Sequence, residues 1–212
     1  RVGGGALGGW GAGRGVGVTL SIVPITIGDA RKWIERHHSH HHAPLGGLCA
    51  VAIAEDGRVC CVGMLSHPVA RKLHEKRTIA EINRVASDGT APHAASKAIG
   101  ALSRAAIALG YRRLVSYTLL GEAGTSYRAA GWWPTSKNDG GDWSVATRKY
   151  VGKKAVQPGA KVRWEFGPDA EPIDPEVDAL VRASVGVVAL RGRAETLPLF
   201  ATREREEAQA AE

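Results

Sequence analysis

The sequence has few cysteines to form the disulfides of a secreted domain and no long apolar run of the kind that spans a membrane. It contains three cysteines among 212 residues, Cys49, Cys60 and Cys61, of which the last two are adjacent. Because an odd number with an adjacent pair makes a poor disulfide framework, we expect buried free thiols and a cytoplasmic compartment. No apolar run approaches the ~20 residues of a membrane helix, and the Gly-rich first residues lack the apolar stretch of a secretory signal.

Acidic residues are in the minority. The chain has 28 Lys and Arg against 21 Asp and Glu, a net charge of +7. This balance favours anionic partners, either nucleic acid or a polyanionic small molecule such as a nucleotide or coenzyme. The charge alone does not choose between them, and the 44% of apolar residues is ordinary for a globular protein.

Periodic patterning is confined to the middle of the chain. We expect a Gly-rich disordered leader over residues 1–20, one folded domain over 21–166, and a linker with a mostly disordered tail over 167–212. The Pro- and acid-rich stretch GPDAEPIDPEVD suggests the linker. Within 179–190, a short helix or strand is predicted.

The pattern predicts a mixed α/β sheet with helices on both faces. Strands are expected at 22–27, 78–86, 112–120, 142–151 and 160–166, with a hairpin around Asp56-Gly57. Helices are expected at 28–43, capped by Asp29, at 94–109, ended by Gly110, and at 123–133. Alternation in the 78–86 strand places Glu81, Asn83 and Val85 on one face and Arg84 on the other.

The loop between the 78–86 strand and the following helix has no bulky residue. Ala94, Ala95 and Ser96 open the helix, and Lys97 adds a cation. Free backbone N–H groups and the helix dipole make such a start a site for anions, and a pyrophosphate would fit. Small residues at helix starts are also common in proteins that bind nothing there, so both interpretations stay open at this point.

Several segments together resemble one enzyme family. They are the strand AEINRVASDGT, the helix APHAASKAIGALSRAAIALGY, the strand RRLVSYTL and the helix end TSYRAAGW. Over roughly residues 24–166 they resemble the GNAT superfamily of acyl-CoA-dependent N-acyltransferases, with Tyr127, Gly131 and Trp132 in its closing pattern. NRVASDGT, AASK, ALGYRRLVSYTL and SYRAAGW are similar in particular to phage-encoded members related to the Mom proteins, which modify adenine in DNA. That narrower likeness would place the protein in the cytoplasm of a bacterial host.

The resemblance implies a GNAT-like fold, acetyl-CoA or another acyl-CoA as cofactor, and roles for individual residues. The backbone at Val85 and Ser87 would pair with the pantetheine arm, and the amides of Ala94, Ala95, Ser96 and Lys97 would cradle the pyrophosphate. Tyr127 would be the general acid and Glu81 the general base. The acceptor side would include His37, His41, Asn83, Arg84 and Ser116. The chain departs from the family in its glycine-poor phosphate loop and in having one helix, where two are usual, between its first strands.

Five histidines lie in the stretch RHHSHHHAP. On a helix, His37 and His41 would stand four residues apart, as would His38 and His42, a spacing that lets two imidazoles share a metal. No third ligand is evident nearby, so we expect no metal. A polar helix end or a proton-shuttling role beside the acceptor fits the pattern better.

Two further patterns suggest macromolecular partners. Basic residues are interleaved with tryptophans. Such a pattern would suit an enzyme that acts on a flipped base, or it could be a solvated basic face over tryptophans of the core. The residues are Arg71, Lys72, Lys76, Arg77, Arg112, Arg113, Arg148, Lys149, Lys153 and Lys154, with Trp132, Trp133 and Trp143. TLPLF, with Leu197, Leu199 and Phe200, is similar to sliding-clamp-binding peptides, although it lacks their leading Gln. It could equally fold back on the domain.

These observations favour a GNAT-fold acyltransferase that modifies an amino group, with a DNA base as one acceptor. The competing hypotheses are a non-catalytic DNA- or protein-binding module on the same fold, and a metal-dependent protein built on the histidines.

Overall fold

Seven strands form one sheet in the computed structural model, which describes residues 19–38, 41–74, 76–140 and 159–184. The strands are β1 (Leu20–Val23), β2 (Cys49–Glu55), β3 (Arg58–Ser66), β4 (Ile79–Ser87), β5 (Arg113–Leu119), β6 (Trp133–Asn138) and β7 (Lys161–Phe166). The helices are α1 (Ile27–His37), α2 (Arg71–His74), α3 (Ala94–Ala108) and α4 (Thr125–Ala129), and residues 175–184 are also helical.

The sheet has the order β1-β2-β3-β4-β5-β7-β6. Every neighbouring pair is antiparallel except β4 and β5, which are parallel and joined by the crossover helix α3. The hairpin predicted at Asp56-Gly57 is confirmed, with both turn residues at positive φ.

Helices cover both faces of the sheet, as predicted. On one face, Ala30 and Ile34 of α1 pack against Val62, Met64 and Ala86. On the other, α3 lies over β2, β3 and β4, and its apolar side belongs to a core cluster whose residues include Ile99, Leu102, Ala106, Ile82, Leu114 and Trp164. The predicted mixed α/β architecture is therefore confirmed.

The first strand and helix lie earlier than the sequence pattern predicts. β1 ends at Val23, and α1 begins at Ile27 and ends at His37 rather than at residue 43. The predicted cap Asp29 is also wrong, because Thr26 is the N-cap: its Oγ1 accepts the Asp29 amide at 3.1 Å. The Asp29 carboxylate accepts the Thr26 hydroxyl in return at 2.7 Å, which closes a reciprocal cap.

One edge strand, β6, was not expected from the sequence. It begins with Trp133-Pro134 and continues into polar residues, so it lacks the apolar alternation of a strand. Pro134 is tolerated because β6 pairs with β7 alone and forms the edge of the sheet. The strand expected at 142–151, the leader up to residue 18, and the tail with Leu197, Leu199 and Phe200 lie outside the described residues.

The packed region extends beyond residue 166. Val177 and Val181, in the helical segment 175–184, are buried in the same core as Trp132 and Trp164. Ion pairs hold residues 167–184 against the rest of the domain. Arg128 pairs with Asp178 at 2.5 Å, and Arg112 makes two hydrogen bonds of 2.8 Å to the Asp169 carboxylate. Residues 167–184 thus do more than link the domain to the tail.

A buried ion-pair network ties the end of the domain to the sheet. Glu165 is fully buried and accepts from Arg113 at 2.7 Å, and Arg113 also reaches Glu171 at 2.9 Å. Removing one member would leave a charge buried without its partner, so this network constrains the segment after β7.

The three cysteines are free thiols, and Cys60 and Cys61 are buried as expected. Burial raises the pKa of Cys61 to about 12. Since the thiolate is the reactive form, we expect Cys61 to resist a disulfide reagent such as DTNB in the native state and to react only after unfolding. Labelling in buffer and in denaturant, followed by mass spectrometry, checks this; rapid native labelling of Cys61 would contradict its placement in β3.

Among the described residues, no helix is both long enough and apolar enough to cross a bilayer.

Candidate active site

The parallel strands β4 and β5 form a fork. They pair over only three residues of each, from Ile79 with Arg113 to Glu81 with Val115. Beyond that point β4 continues to Ser87 and β5 to Leu119 without pairing to each other. The backbone of β4 beyond Glu81 therefore has an edge that β5 does not cover, and no local pattern in the sequence predicts this separation.

A β-bulge lies at Asn83. β3 residue Met64 pairs with Arg84 and Leu65 pairs with Ile82, so Asn83 is the extra residue. The bulge reverses the alternation of faces, so Ile82 and Val85 both pack on the α3 side while Ala86 packs on the α1 side. The predicted face assignment for Arg84 and Val85 is therefore wrong, because it assumed an unbroken strand.

Glu81 lies where the fork opens, on the α1 face of β4. Its side chain is 6% exposed, and one carboxylate oxygen accepts the Val69 amide at 2.9 Å. Burial raises its pKa, although the Val69 hydrogen bond and Arg84 oppose the change. A carboxylate with a raised pKa is suited to accept a proton near neutral pH.

Asn83 holds its side-chain oxygen in a fixed direction. Ser66 donates its hydroxyl to the His67 carbonyl at 3.0 Å, so its oxygen accepts the Asn83 amide hydrogen at 2.7 Å. This assignment leaves Oδ1 of Asn83 as an acceptor, and Oδ1 is buried with no partner among the described residues. Ser66 pairs with Glu81 across the strands, so Asn83 and Glu81 lie side by side on one face.

Tyr127 approaches the fork from α4. The N-cap of that helix is Gly124, whose φ of +60° and closeness to Trp164 leave no room for a side chain; a Cβ there would lie 2.0 Å from the indole. The Tyr127 ring stacks on Trp164 with centroids 5.7 Å apart, and its hydroxyl lies 2.6 Å from Oγ of Ser116. Burial raises the pKa of Tyr127 to about 12, so the phenol keeps its proton.

Ser116, which is predicted to lie on the acceptor side, sits at the apex of the fork. It is 2% exposed, and its hydroxyl donates to the Ile82 carbonyl at 2.7 Å, opposite the point where strand pairing stops. Because a serine has one hydroxyl hydrogen, Tyr127 must be the donor in the bond between the two side chains. Ser116 thus joins Tyr127 to β4 one residue from Glu81, a link that the sequence did not suggest.

The start of α3 is open. His93 is its N-cap with φ of +64°, and no side chain caps the helix. Ala94 is buried, and Ala95 and Ser96 are partly exposed at this end. The side chain of Lys97 does not serve an anion here, because it donates to the Leu20 carbonyl of β1. Backbone amides of the first turn remain the groups that could hold a pyrophosphate.

Val85 and Ser87, the other residues predicted to contact the cofactor, have their side chains engaged in the fold. The Val85 side chain packs in the core, and the Ser87 hydroxyl donates to the Cys60 carbonyl at 3.2 Å. The following loop is shaped by Asp88, which accepts from Thr90 and pairs with Arg58.

The histidines do not form the predicted helical pairs. α1 ends at His37, which stacks on Trp33 with ring centroids 4.1 Å apart, and His41 follows in a loop. His42, predicted to pair with His38, instead places its Nδ1 2.7 Å from a Glu35 carboxylate oxygen, and its carbonyl accepts a hydrogen bond from Arg84 at 3.1 Å. No cluster of three metal-ligating side chains occurs among the residues that the structure describes, and His40 lies outside them.

Much of the expected nucleic-acid surface is already engaged in the fold. Arg112 and Arg113 are held in ion pairs, and Trp132 is buried with its indole donating to Ser103 at 3.0 Å. Trp133 donates to the Glu171 carbonyl at 2.7 Å. Lys72, Lys76 and Arg77 are exposed on and after α2; the predicted residues between 143 and 154 lie outside the described ranges.

Comparisons with known proteins bear on the fold. A comparison with models of protein families finds no match, and a comparison with curated proteins finds none either. Among solved structures, the IAA acetyltransferase from Bacillus cereus matches with a TM-score of 0.51 and 12% identity over 70% of this chain and 99% of that one. The protein yncA from Salmonella typhimurium, solved with its cofactor acetyl-CoA, matches with a TM-score of 0.50 and 12% identity over 74% and 97%.

A GNAT-family acetyltransferase from Streptococcus pneumoniae is also similar, with a TM-score of 0.48 and 11% identity over 70% of this chain and 99% of that one. The likeness to the Bacillus cereus and Salmonella typhimurium proteins shows that the chain has the GNAT fold. At such low identities the likeness concerns the fold alone, and no comparison bears on a relationship to the phage Mom proteins.

Proposed function

We propose that the protein transfers an acyl group from an acyl-CoA to an amino group. The observation that carries this is the fork: the buried carboxyl of Glu81 and the partly buried Tyr127 lie near its apex, where Ser116 links the Tyr127 hydroxyl to the Ile82 carbonyl next to Glu81. Two titratable groups held in different environments at one backbone opening are a typical acid–base pair. Neither Glu81 nor Tyr127 forms an ion pair with a described residue, so no salt bridge explains why these two groups are withdrawn from solvent.

The chemistry divides between these two side chains. Bound acetyl-CoA, or another acyl-CoA, supplies the acyl group as a thioester. Glu81 accepts a proton from the amine as its nitrogen bonds to the carbonyl carbon. Tyr127 gives its hydroxyl proton to the sulfur as the carbon–sulfur bond breaks. The products are an amide and a free thiol, so atoms and charge balance once Glu81 returns its proton to Tyr127 through solvent.

The uncapped start of α3 fits the coenzyme pyrophosphate, with Ala95 and Ser96 offering amides without bulk. Ser96→Asp tests this with two opposite effects. The new carboxylate complements the helix dipole and should stabilise the free protein by about 0.5 kcal/mol. It should also repel a pyrophosphate, so the stabilisation of about 2.7 kcal/mol expected from acetyl-CoA at ~100 times its Kd should largely disappear.

Thermal unfolding with and without acetyl-CoA measures both effects. Ser96→Asn is the matched neutral control and should keep the coenzyme-induced shift. S-acetylpantetheine, which lacks the pyrophosphate, should bind wild type and Ser96→Asp alike. Equal acetyl-CoA shifts in all three proteins would contradict a pyrophosphate at α3.

Transfer itself is tested by release of free thiol from acetyl-CoA with three amine acceptors: spermidine, a peptide with a free N-terminus, and a single-stranded oligonucleotide. An enzyme should release thiol in step with an acetylated product found by mass spectrometry. Coenzyme or oligonucleotide binding without any product would instead favour the non-catalytic module.

The finer proposal, an amino group on a DNA base, has one supporting observation. Exposed Lys72, Lys76 and Arg77 lie in the connection between Val69, whose amide binds Glu81, and β4. If these residues contact phosphates, oligonucleotide affinity should fall steeply with salt, and Lys72→Gln with Lys76→Gln should flatten that slope. An unchanged slope in the double variant would set the DNA proposal aside and leave acyl transfer intact.

A further inference from the structure

A second carboxylate, that of Glu35, is hydrogen-bonded to the imidazole of His42 on the side of the fork proposed for the acceptor. Glu35, in the last turn of α1, places one oxygen 2.7 Å from Nδ1 of His42 and accepts the Ala43 amide with the other at 2.9 Å. His42 and Ala43 are thereby tied to α1, with the imidazole held against the carboxylate.

This arrangement determines which nitrogen carries the proton. An ionised carboxylate can only accept hydrogen bonds, so Nδ1 of His42 must be the N–H in the neutral ring. Nε2 then presents a lone pair. Nε2 is buried and has no partner within the described part of the chain, although the side chain as a whole is 34% exposed. A buried acceptor without a donor is unfavourable, which points to a donor supplied by a ligand.

The dyad is connected to the proposed reaction centre through Arg84. The Arg84 side chain donates to the His42 carbonyl at 3.1 Å, and its positive charge opposes the rise that burial causes in the pKa values of Glu81 and Tyr127. Arg84 and Glu81 share the α1 face of β4, because the bulge at Asn83 lies between them. His42 therefore stands on the side of β4 that is opposite to α3 and its open N-terminus.

We propose that Glu35 and His42 form an acceptor-binding dyad, in which Nε2 of His42 accepts an N–H hydrogen of the incoming amine and Glu35 fixes the tautomer that makes this possible. This inference rests on the proposed function. It implies an acceptor that presents at least two N–H hydrogens, one for His42 and one for Glu81, which is a primary amino group. An amine carrying a single N–H could engage one of the two groups but not both.

Glu35→Gln is the sharpest variant. The glutamine oxygen can still accept the Ala43 amide, but its NH₂ group faces Nδ1, so the ring must carry its proton on Nε2 instead. Nitrogen-15 NMR of the imidazole, assigned by the loss of its signals in His42→Asn, measures the tautomer without acetyl-CoA or acceptor. The asparagine in that control keeps a donor toward Glu35 and removes the Nε2 lone pair.

We expect Nε2 to be unprotonated in neutral wild-type His42 and protonated in Glu35→Gln. With a primary amine from the acceptor panel that wild type acetylates, both variants should lose about 10²-fold in turnover while unfolding at nearly the wild-type temperature. The N-methyl derivative of that amine should be a poor substrate for wild type.

A protonated Nε2 in the neutral wild-type ring overturns the inference. So does full turnover in Glu35→Gln with the tautomer reversed, or equal turnover of the amine and its N-methyl derivative. Failure of the proposed function looks different: wild type would then neither bind acetyl-CoA nor acetylate any panel amine, and the role of the dyad would fall with it whatever its tautomer.

Discussion

Glu81→Gln is expected to abolish most acyl transfer without weakening the fold. The glutamine oxygen can keep the 2.9 Å hydrogen bond from the Val69 amide, but an amide cannot accept the proton of the amine. General-base catalysis contributes roughly 10²–10⁴-fold, so turnover should fall by about 10³-fold while acetyl-CoA affinity stays the same. Thiol release under saturating coenzyme, together with calorimetric binding, measures the two quantities separately.

Stability should change in the opposite direction from activity. Burial raises the folded-state pKa of Glu81, so the folded protein binds a proton more tightly than the unfolded chain. The free energy of unfolding of wild type therefore decreases as pH rises from the unfolded pKa through the raised folded pKa. Glu81→Gln should lack this decrease and be the more stable protein at pH 7. Activity of wild type should rise over the same window as the carboxyl ionises.

The matched control for Glu81 is Glu122→Gln, since Glu122 is an exposed carboxylate that accepts the Leu119 amide at 2.9 Å beyond the fork. It should keep wild-type turnover. Near-normal turnover in Glu81→Gln would show that another group takes the proton and would contradict the assignment of Glu81.

Tyr127→Phe is expected to have the second-largest effect. Phenylalanine keeps the stacking on Trp164 but removes the proton donor, so departure of the thiolate should slow and turnover should fall by about 10²-fold or more. The pKa of about 12 predicts that Tyr127 stays protonated from pH 6 to 9, so wild type should show no loss of activity from this group in that range.

Ser116 provides the internal control for Tyr127. Once Tyr127 has given up its proton, the Ser116 hydroxyl can turn its hydrogen from the Ile82 carbonyl to the phenolate. Ser116→Ala should therefore slow turnover in wild type and cause little further loss in Tyr127→Phe. If Ser116→Ala lowers turnover equally in wild type and in Tyr127→Phe, Ser116 only maintains the fork. Near-normal turnover in Tyr127→Phe would contradict a role for the tyrosine in the mechanism.

The fold was largely predictable because its central elements carry strong local signals. The Asp56-Gly57 hairpin and α3, with its 3.6-residue apolar period ended by Gly110, appear where the sequence predicts them. β6 was missed because an edge strand with a proline has no alternating apolar face. The helix at 175–184 begins earlier than the short helix or strand predicted within 179–190, because its first turns lie in a stretch dominated by Pro and acidic residues that was interpreted as a linker.

The site was only partly predictable, because it depends on contacts between distant parts of the chain. Residues Glu81 and Tyr127 were proposed from a family resemblance, and their roles stay predictions. No local signal reveals that β4 and β5 separate after Glu81, that Asn83 forms a bulge, or that Lys97 reaches the Leu20 carbonyl. Likewise, Glu35 and His42 are seven residues apart and meet only because α1 ends at His37.

The most direct test of the account is a calorimetric titration of the wild-type protein with acetyl-CoA. The account predicts saturable binding with one coenzyme per chain, markedly weaker binding by Ser96→Asp, and unchanged binding by Glu81→Gln. Absence of binding by wild type would contradict the proposal that the fork and the start of α3 form an acyl-CoA-dependent active site.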